Sequence, residues 1–144
     1  MEPLEATEAD VAALWKKAVA SANDSRNRSN SADNRHGLGY QALLQAASAV
    51  LMAAGYRSRG GGSGHHHDLF YAVTGLSISG LDDADILTEP IRKQRSRAVY
   101  EPDLLTESDL LEVYRLQDAL LPAMHRWLTS QGPGVAAKLP PWGR

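Results

Sequence analysis

Apolar residues recur at helical spacing in nearly every readable stretch of this chain. Val11, Leu14, Trp15, Ala18, Val19 and Ala22 follow the i, i+3, i+4, i+7 rule, which lays one apolar stripe along a first helix. Thr7 and Asp10, three apart at its start, have the spacing of a capping box. This helix is expected from about Thr7 to Ser21. The segment NDSRNRSNSADN follows, rich in side chains that compete for backbone hydrogen bonds, and reads as a loop. A second helix, from Asn34 to Ala54, puts Tyr40, Leu43, Leu44, Ala47, Val50, Leu51 and Ala54 on one stripe and stops at Gly55.

Beyond it, RSRGGGSG is too rich in glycine to be anything but loop, and HHHDLFYAVTGL makes a shorter third helix on Leu69, Phe70, Val73 and Leu76. After the turn SISGLDD, Pro90 lacks an amide donor and fits a first helical turn. A fourth helix therefore starts near Glu89, or an earlier turn kinks there. The last helix opens at Thr106, with Asp109 completing a second capping box, and carries Leu110, Val113, Tyr114, Leu121, Met124 and Leu128 inward. Pro122 is expected to bend it one turn upstream. No stretch alternates as a strand does, and no repeat is visible. The fold class is all-α, a bundle of four to five helices formed by residues 1–131, with 132–144 an extended tail broken by Gly132, Pro133, Gly134, Pro140 and Pro141.

Composition narrows the function classes. A chain of 144 residues has the length of one domain with one core. Its net charge of −2 argues against a cation-coated protein that grips duplex DNA without regard to sequence. With no cysteine there is no disulfide framework, thiolate metal site or thiol nucleophile. The acidic start MEPLEATEAD lacks a signal peptide's basic and apolar regions, and no run approaches the roughly 18 apolar residues of a membrane span. The expectation is a soluble, cytoplasmic protein.

Candidate chemistry gathers in two places. The run IRKQRSRAVYEP packs Arg92, Lys93, Arg95 and Arg97 into one short helix, with Arg92 and Arg95 three apart and Lys93 and Arg97 four apart. Such guanidinium forks suit bidentate phosphate recognition. The plainer reading, which the pattern alone favours, is a solvated face whose charges pair with Glu89 or Glu101. The second place is GYRSRGGGSGHHHDLF, where Arg57 and Arg59 flank glycine amides that can turn towards an anion ahead of a helix start. No Gly-Lys-Ser/Thr follows, so it is no Walker loop, and a flexible linker reads equally well.

His65, His66 and His67 point about 100° apart from one another if helical, so they cannot converge on one ion, and no metal is expected. One of them can still carry a proton near neutral pH. His36 and His125 stand isolated and read as structural or exposed. Asp82, Asp83 and Asp85 precede the fourth helix and suit its N-terminal dipole better than they suit catalysis. No G-x-S-x-G marks a serine hydrolase.

In order, DNRHGLGYQALLQAASAVLMAAGYRSR, GHHHDLFYAV and IRKQRSRAVYEPDLLTESDLLEVYRLQDALL resemble the bacterial branch of the HEPN superfamily, the higher eukaryote and prokaryote nucleotide-binding domains, over about residues 5 to 130. The resemblance implies a bundle of four or five helices, usually a homodimer. It also implies a metal-independent ribonuclease of toxin–antitoxin or phage-defence systems, without a cofactor, acting on RNA or a nucleotide. The partner implied is a cognate antitoxin or a nucleotidyltransferase-like protein.

The superfamily's motif is an arginine, a polar residue, three variable residues and a histidine, contributed by both protomers to one cleft. Arg95 and Ser96 match its first two positions, and Tyr100 stands where the histidine belongs. Attack by a ribose 2′-hydroxyl needs a base and an acid, and a tyrosine with a pKa of about 10 is a poor base. The expected substitute imidazole is His65 or His66, with Arg35, Arg57, Arg59 and Arg92 as phosphate contacts. The rival expectation is a non-catalytic dimeric interaction module. A transcriptional regulator lacks the helix-turn-helix with a basic recognition helix that it would need.

Overall fold

The computed structural model describes residues 2–3, 7–57 and 63–142, with side chains for 7–56 and 69–142. It is an all-α bundle. Helix α1 spans Glu8–Ser25 and opens on the expected capping box, with the Asp10 amide donating to Thr7 Oγ1 at 3.1 Å and the Thr7 amide donating to Asp10 Oδ2 at 3.3 Å. It runs one turn past the expected end because the bundle holds that turn in place. The Ser25 carbonyl accepts the Tyr114 hydroxyl at 2.5 Å, and Ser25 Oγ accepts Gln117 Nε2 at 3.1 Å. Tertiary hydrogen bonds thus override the weak helix propensity of Asn23 and Asp24.

Helix α2, Ala32–Ala53, is capped by Ser31, whose Oγ accepts the Asn34 amide at 3.2 Å. It is the hub of the bundle and packs against α1 and against the three later helices α3, Ser63–Thr74, α5, Glu89–Tyr100, and α6, Glu107–Thr129. So many neighbours require a helix apolar on most sides, and the alanines at 42, 46, 47 and 49 let them approach closely. It stops where expected: Gly55 takes a φ of +94°, left-handed backbone that costs glycine little.

Directly after Gly55, a two-residue strand β2 (Tyr56–Arg57) pairs antiparallel with β1 (Glu2–Pro3), a pairing too short to show as sequence alternation. Leu69, Phe70 and Val73 of α3 are buried as expected. Both alternatives for the fourth helix are realised, since a single turn α4, Ala84–Leu87, precedes α5 with only Thr88 between them, and Pro90 sits in the first turn of α5. Helix α6 opens on its expected capping box and continues through Pro122.

The C-terminal segment departs from the extended tail that its prolines and glycines suggest. Gly132, at a φ of +138°, turns the chain back, and Pro133 starts the one-turn helix α7, Pro133–Ala136. Val135 and Leu139 join the core, Trp15 Nε1 donates to the Pro140 carbonyl at 2.7 Å, and Trp142 lies 5.4 Å from the Arg26 guanidinium. Proline and glycine set the bends, and the apolar residues between them find a surface to cover.

Candidate functional site

The periodicity of α5 decides which of its cations face the protein. Ile91 is the residue of this helix buried in the core, and Gln94 and Arg95 lie three and four positions on, along the stripe that faces the bundle. Ser96, Arg97 and Tyr100 fall on exposed faces, and Tyr100 is 83% exposed. Five residues along a helix amount to about 500° of rotation, so Arg95 and Tyr100 point about 140° apart.

Opposite Arg95, α2 presents Asn34, Gly37, Leu38 and Gln41 at i, i+3, i+4 and i+7, the stripe left over when its buried faces are turned inward. With Asn30 from the preceding loop they line an open groove of about 460 Å³. Gly37 gives the guanidinium its close seat: a Cβ there would lie 3.2 Å from Arg95 Cζ, and the fork would have to shift by a few tenths of an ångström. An arginine N–H donates to the Asp33 carbonyl at 3.2 Å and anchors the fork against α2.

The other arginines of α5 are paired. Arg92 holds Glu89 through both arms of its guanidinium, with Nε at 3.2 Å from Oε2, as the plain reading of the run expects. Arg97 pairs with Asp109 at 3.3 Å, not with Glu101. Arg95 has no carboxylate partner among the described residues. Arg35 is 5% exposed; its guanidinium donates to Glu107 at 2.8 Å and to the Ser25 carbonyl at 3.4 Å, beside the Tyr114 ring. The expected phosphate contact at Arg35 is thus replaced by a tie between α2 and α6, because position 35 falls on a buried face of its helix.

Of the remaining expected site residues, Arg57 and His65–His67 lie in described backbone, the histidines in the first turns of α3, but their side chains fall outside the described residues. Arg59 lies outside them altogether. Among the described residues no group of three His, Asp or Glu side chains forms a metal site. Neither is any described helix long and apolar enough to cross a membrane.

The structure also brings to this region the isolated imidazole of His36, in the structural rather than the exposed of its two expected roles. His36 is fully buried between α2 and α5, its Nε2 2.9 Å from Gln94 Oε1. Since that oxygen accepts, Nε2 carries the proton in the neutral ring. Gln94 continues the chain to Asp109 at 3.5 Å, and Asp109 Oδ2 accepts the Thr106 amide at 2.8 Å. Burial pushes the His36 pKa down, Arg95 adds to the effect, and the contact with Gln94 opposes it. Asp109 is held below the usual carboxylate range, first by the Thr106 backbone and then by Thr106 Oγ1 and Arg97. One signal in the sequence marks His36 as buried: it stands four residues before Tyr40, at the head of the α2 apolar stripe.

The chain matches no family model, and neither a curated protein nor a solved structure matches it. Its chemistry rests on this geometry: the Arg95 guanidinium, without a carboxylate partner among the described residues, set in a groove otherwise walled by uncharged residues.

Proposed function

We propose that this is a HEPN-like domain that binds RNA or a nucleotide by taking a phosphate on Arg95, and that its most specific form is a metal-independent ribonuclease of a toxin–antitoxin or phage-defence system. The observation that carries this reading is the difference within the basic run. Arg92 and Arg97 are neutralised by Glu89 and Asp109, whereas Arg95 keeps most of its donors for an anion.

Cleavage needs proton transfer as well as charge stabilisation. Within one protomer Tyr100 faces away from Arg95, and His36 is sealed beneath α5. A second copy of the chain therefore supplies the missing acid and base in this reading, with His65 or His66 as the imidazole. An antitoxin or nucleotidyltransferase-like partner would cover the same face.

A non-catalytic dimeric module is the second reading. It is favoured by the apolar side chains at the end of α5 and just beyond, where Val99, Tyr100 and Leu104 are 57%, 83% and 79% exposed. Arg95→Ala separates the two readings. The first expects single-stranded RNA affinity to fall by about tenfold or more, the loss of one charge-assisted contact, and any RNA degradation to fall with it. The second expects a shifted dimer equilibrium with unchanged RNA affinity.

A further inference from the structure

Resting on that reading, we propose that the Arg95 groove accepts one adenine base beside the phosphate held by Arg95. The lining specifies more than an anion site. A groove built for a phosphate ladder presents several cations in a row, but here Arg95 is the lone charged residue among Asn30, Asn34, Gly37, Leu38 and Gln41. One cation matches one phosphate.

The three amides then face what the phosphate carries. Asn30 Nδ2 is drawn to the Asp24 carbonyl at 3.3 Å and Gln41 Nε2 to Ser21 Oγ at 3.4 Å, which leaves their carbonyl oxygens as acceptors. The Asn34 side chain has no partner among the described residues, so it offers a donor and an acceptor together. An amide with both ends open makes the paired contact to adenine N7 and N6–H₂, and the two further acceptors suit a base with an amino group. Guanine presents two acceptors on that edge and is better met by a cation. Leu38 supplies an apolar surface for the ring, and about 460 Å³ falls within the roughly 300–1,000 Å³ of small-ligand sites.

The base can come from a free nucleotide or from an unpaired residue of RNA, and the test separates these sources. The full chain is titrated calorimetrically with 5′-AMP, 5′-GMP, 5′-CMP, 5′-UMP and adenosine, and with single-stranded oligoadenylate and oligouridylate of eight nucleotides. The expected result is a preference for AMP of about tenfold over the other nucleotides, with adenosine weaker than AMP. Asn34→Ala, an exposed helix position, removes that preference and leaves UMP affinity within about twofold, whereas Arg95→Ala weakens all four nucleotides alike. Tighter binding of oligoadenylate than of AMP assigns the base to RNA, and the reverse assigns it to a free nucleotide; either supports the proposal. Equal affinity for the four nucleotides, or a cytosine preference, overturns the adenine inference while Arg95 dependence still upholds the phosphate site. Binding that is absent, or indifferent to Arg95→Ala, overturns both.

Discussion

Two glycines two residues apart on α2 hold open two different seams. A Cβ at Gly39 would lie 2.4 Å from Val113 Cγ1 and 3.1 Å from Gln117 Nε2, inside the packed contact between α2 and α6. A Cβ at Gly37 would lie 3.2 Å from the guanidinium of Arg95, across the seam between α2 and α5. The first neighbour is a branched side chain locked in a core, and the second is the far end of a flexible one beside an open groove. The first seam therefore fixes the fold, and the second leaves a charged group room to meet a ligand.

The largest effect expected from breaking this contrast is at Gly39. Gly39→Ala forces Val113 or the α2 backbone to move, and overpacking of this kind costs about 2–3 kcal/mol, read as a lower urea midpoint with the m-value unchanged. Arg35→Ala comes next, with a loss of about 1–2 kcal/mol. It removes the hydrogen bond to Ser25 and the packing on Tyr114, while the Glu107 left behind is 73% exposed and can be solvated. A variant as stable as the parent would show that the tie between α2 and α6 does not contribute.

A pH titration sharpens the comparison on the α5 side. The imidazoles of His36 and His125 are pushed below their ordinary value by burial, His36 also by Arg95. A depressed pKa contributes stability that is present above the ordinary histidine value of about 6.5 and lost as pH falls through the folded value. The groups facing His36 are Asp33 from its own helix, Gln94 and Arg95 from α5, and Asp109 from α6. Asp109 follows the same sign in a lower window, below the ordinary carboxylate value of about 4. Melting temperature should therefore fall between pH 7 and 5, and His36→Gln should flatten that fall in part, with His125 supplying the remainder. An unchanged slope in the variant would remove His36 from the account. The smallest stability effect belongs to Gly37→Ala. Its melting temperature should stay level or rise slightly, since alanine is the better helix former, while nucleotide affinity falls because the guanidinium is displaced.

The helices and their caps were legible because each depends on local chemistry. Thr7 with Asp10 and Thr106 with Asp109 form the boxes that their spacing predicts, and Gly55 ends α2 in left-handed backbone. The last turn of α1 and the folded C-terminal segment were not legible, because both are held by distant partners, Tyr114 and Gln117 for Ser25, and Trp15 for Pro140. In the candidate site the charge pattern singled out the basic run without ranking its members, and Arg95 stood out there only through the family resemblance. The ranking depends on which carboxylates reach which guanidinium, and that is set by the rotation of α5 against α2 and α6. Arg35 was misjudged for the same reason, sitting at the start of a helix whose buried surface is wider than one stripe, whereas His36 takes the structural one of its two readings.

Arg95, unlike Arg92 and Arg97, has its guanidinium free of carboxylates among the described residues and open to a phosphate. The most direct measurement compares Arg95→Ala with Arg92→Ala in single-stranded RNA binding across a range of salt concentrations. A loss of about tenfold is expected for Arg95→Ala, with the log–log salt slope reduced by about 1, and a change within about twofold for Arg92→Ala, whose charge Glu89 already holds. Equal losses in the two variants, or no loss in either, would contradict a phosphate site at Arg95.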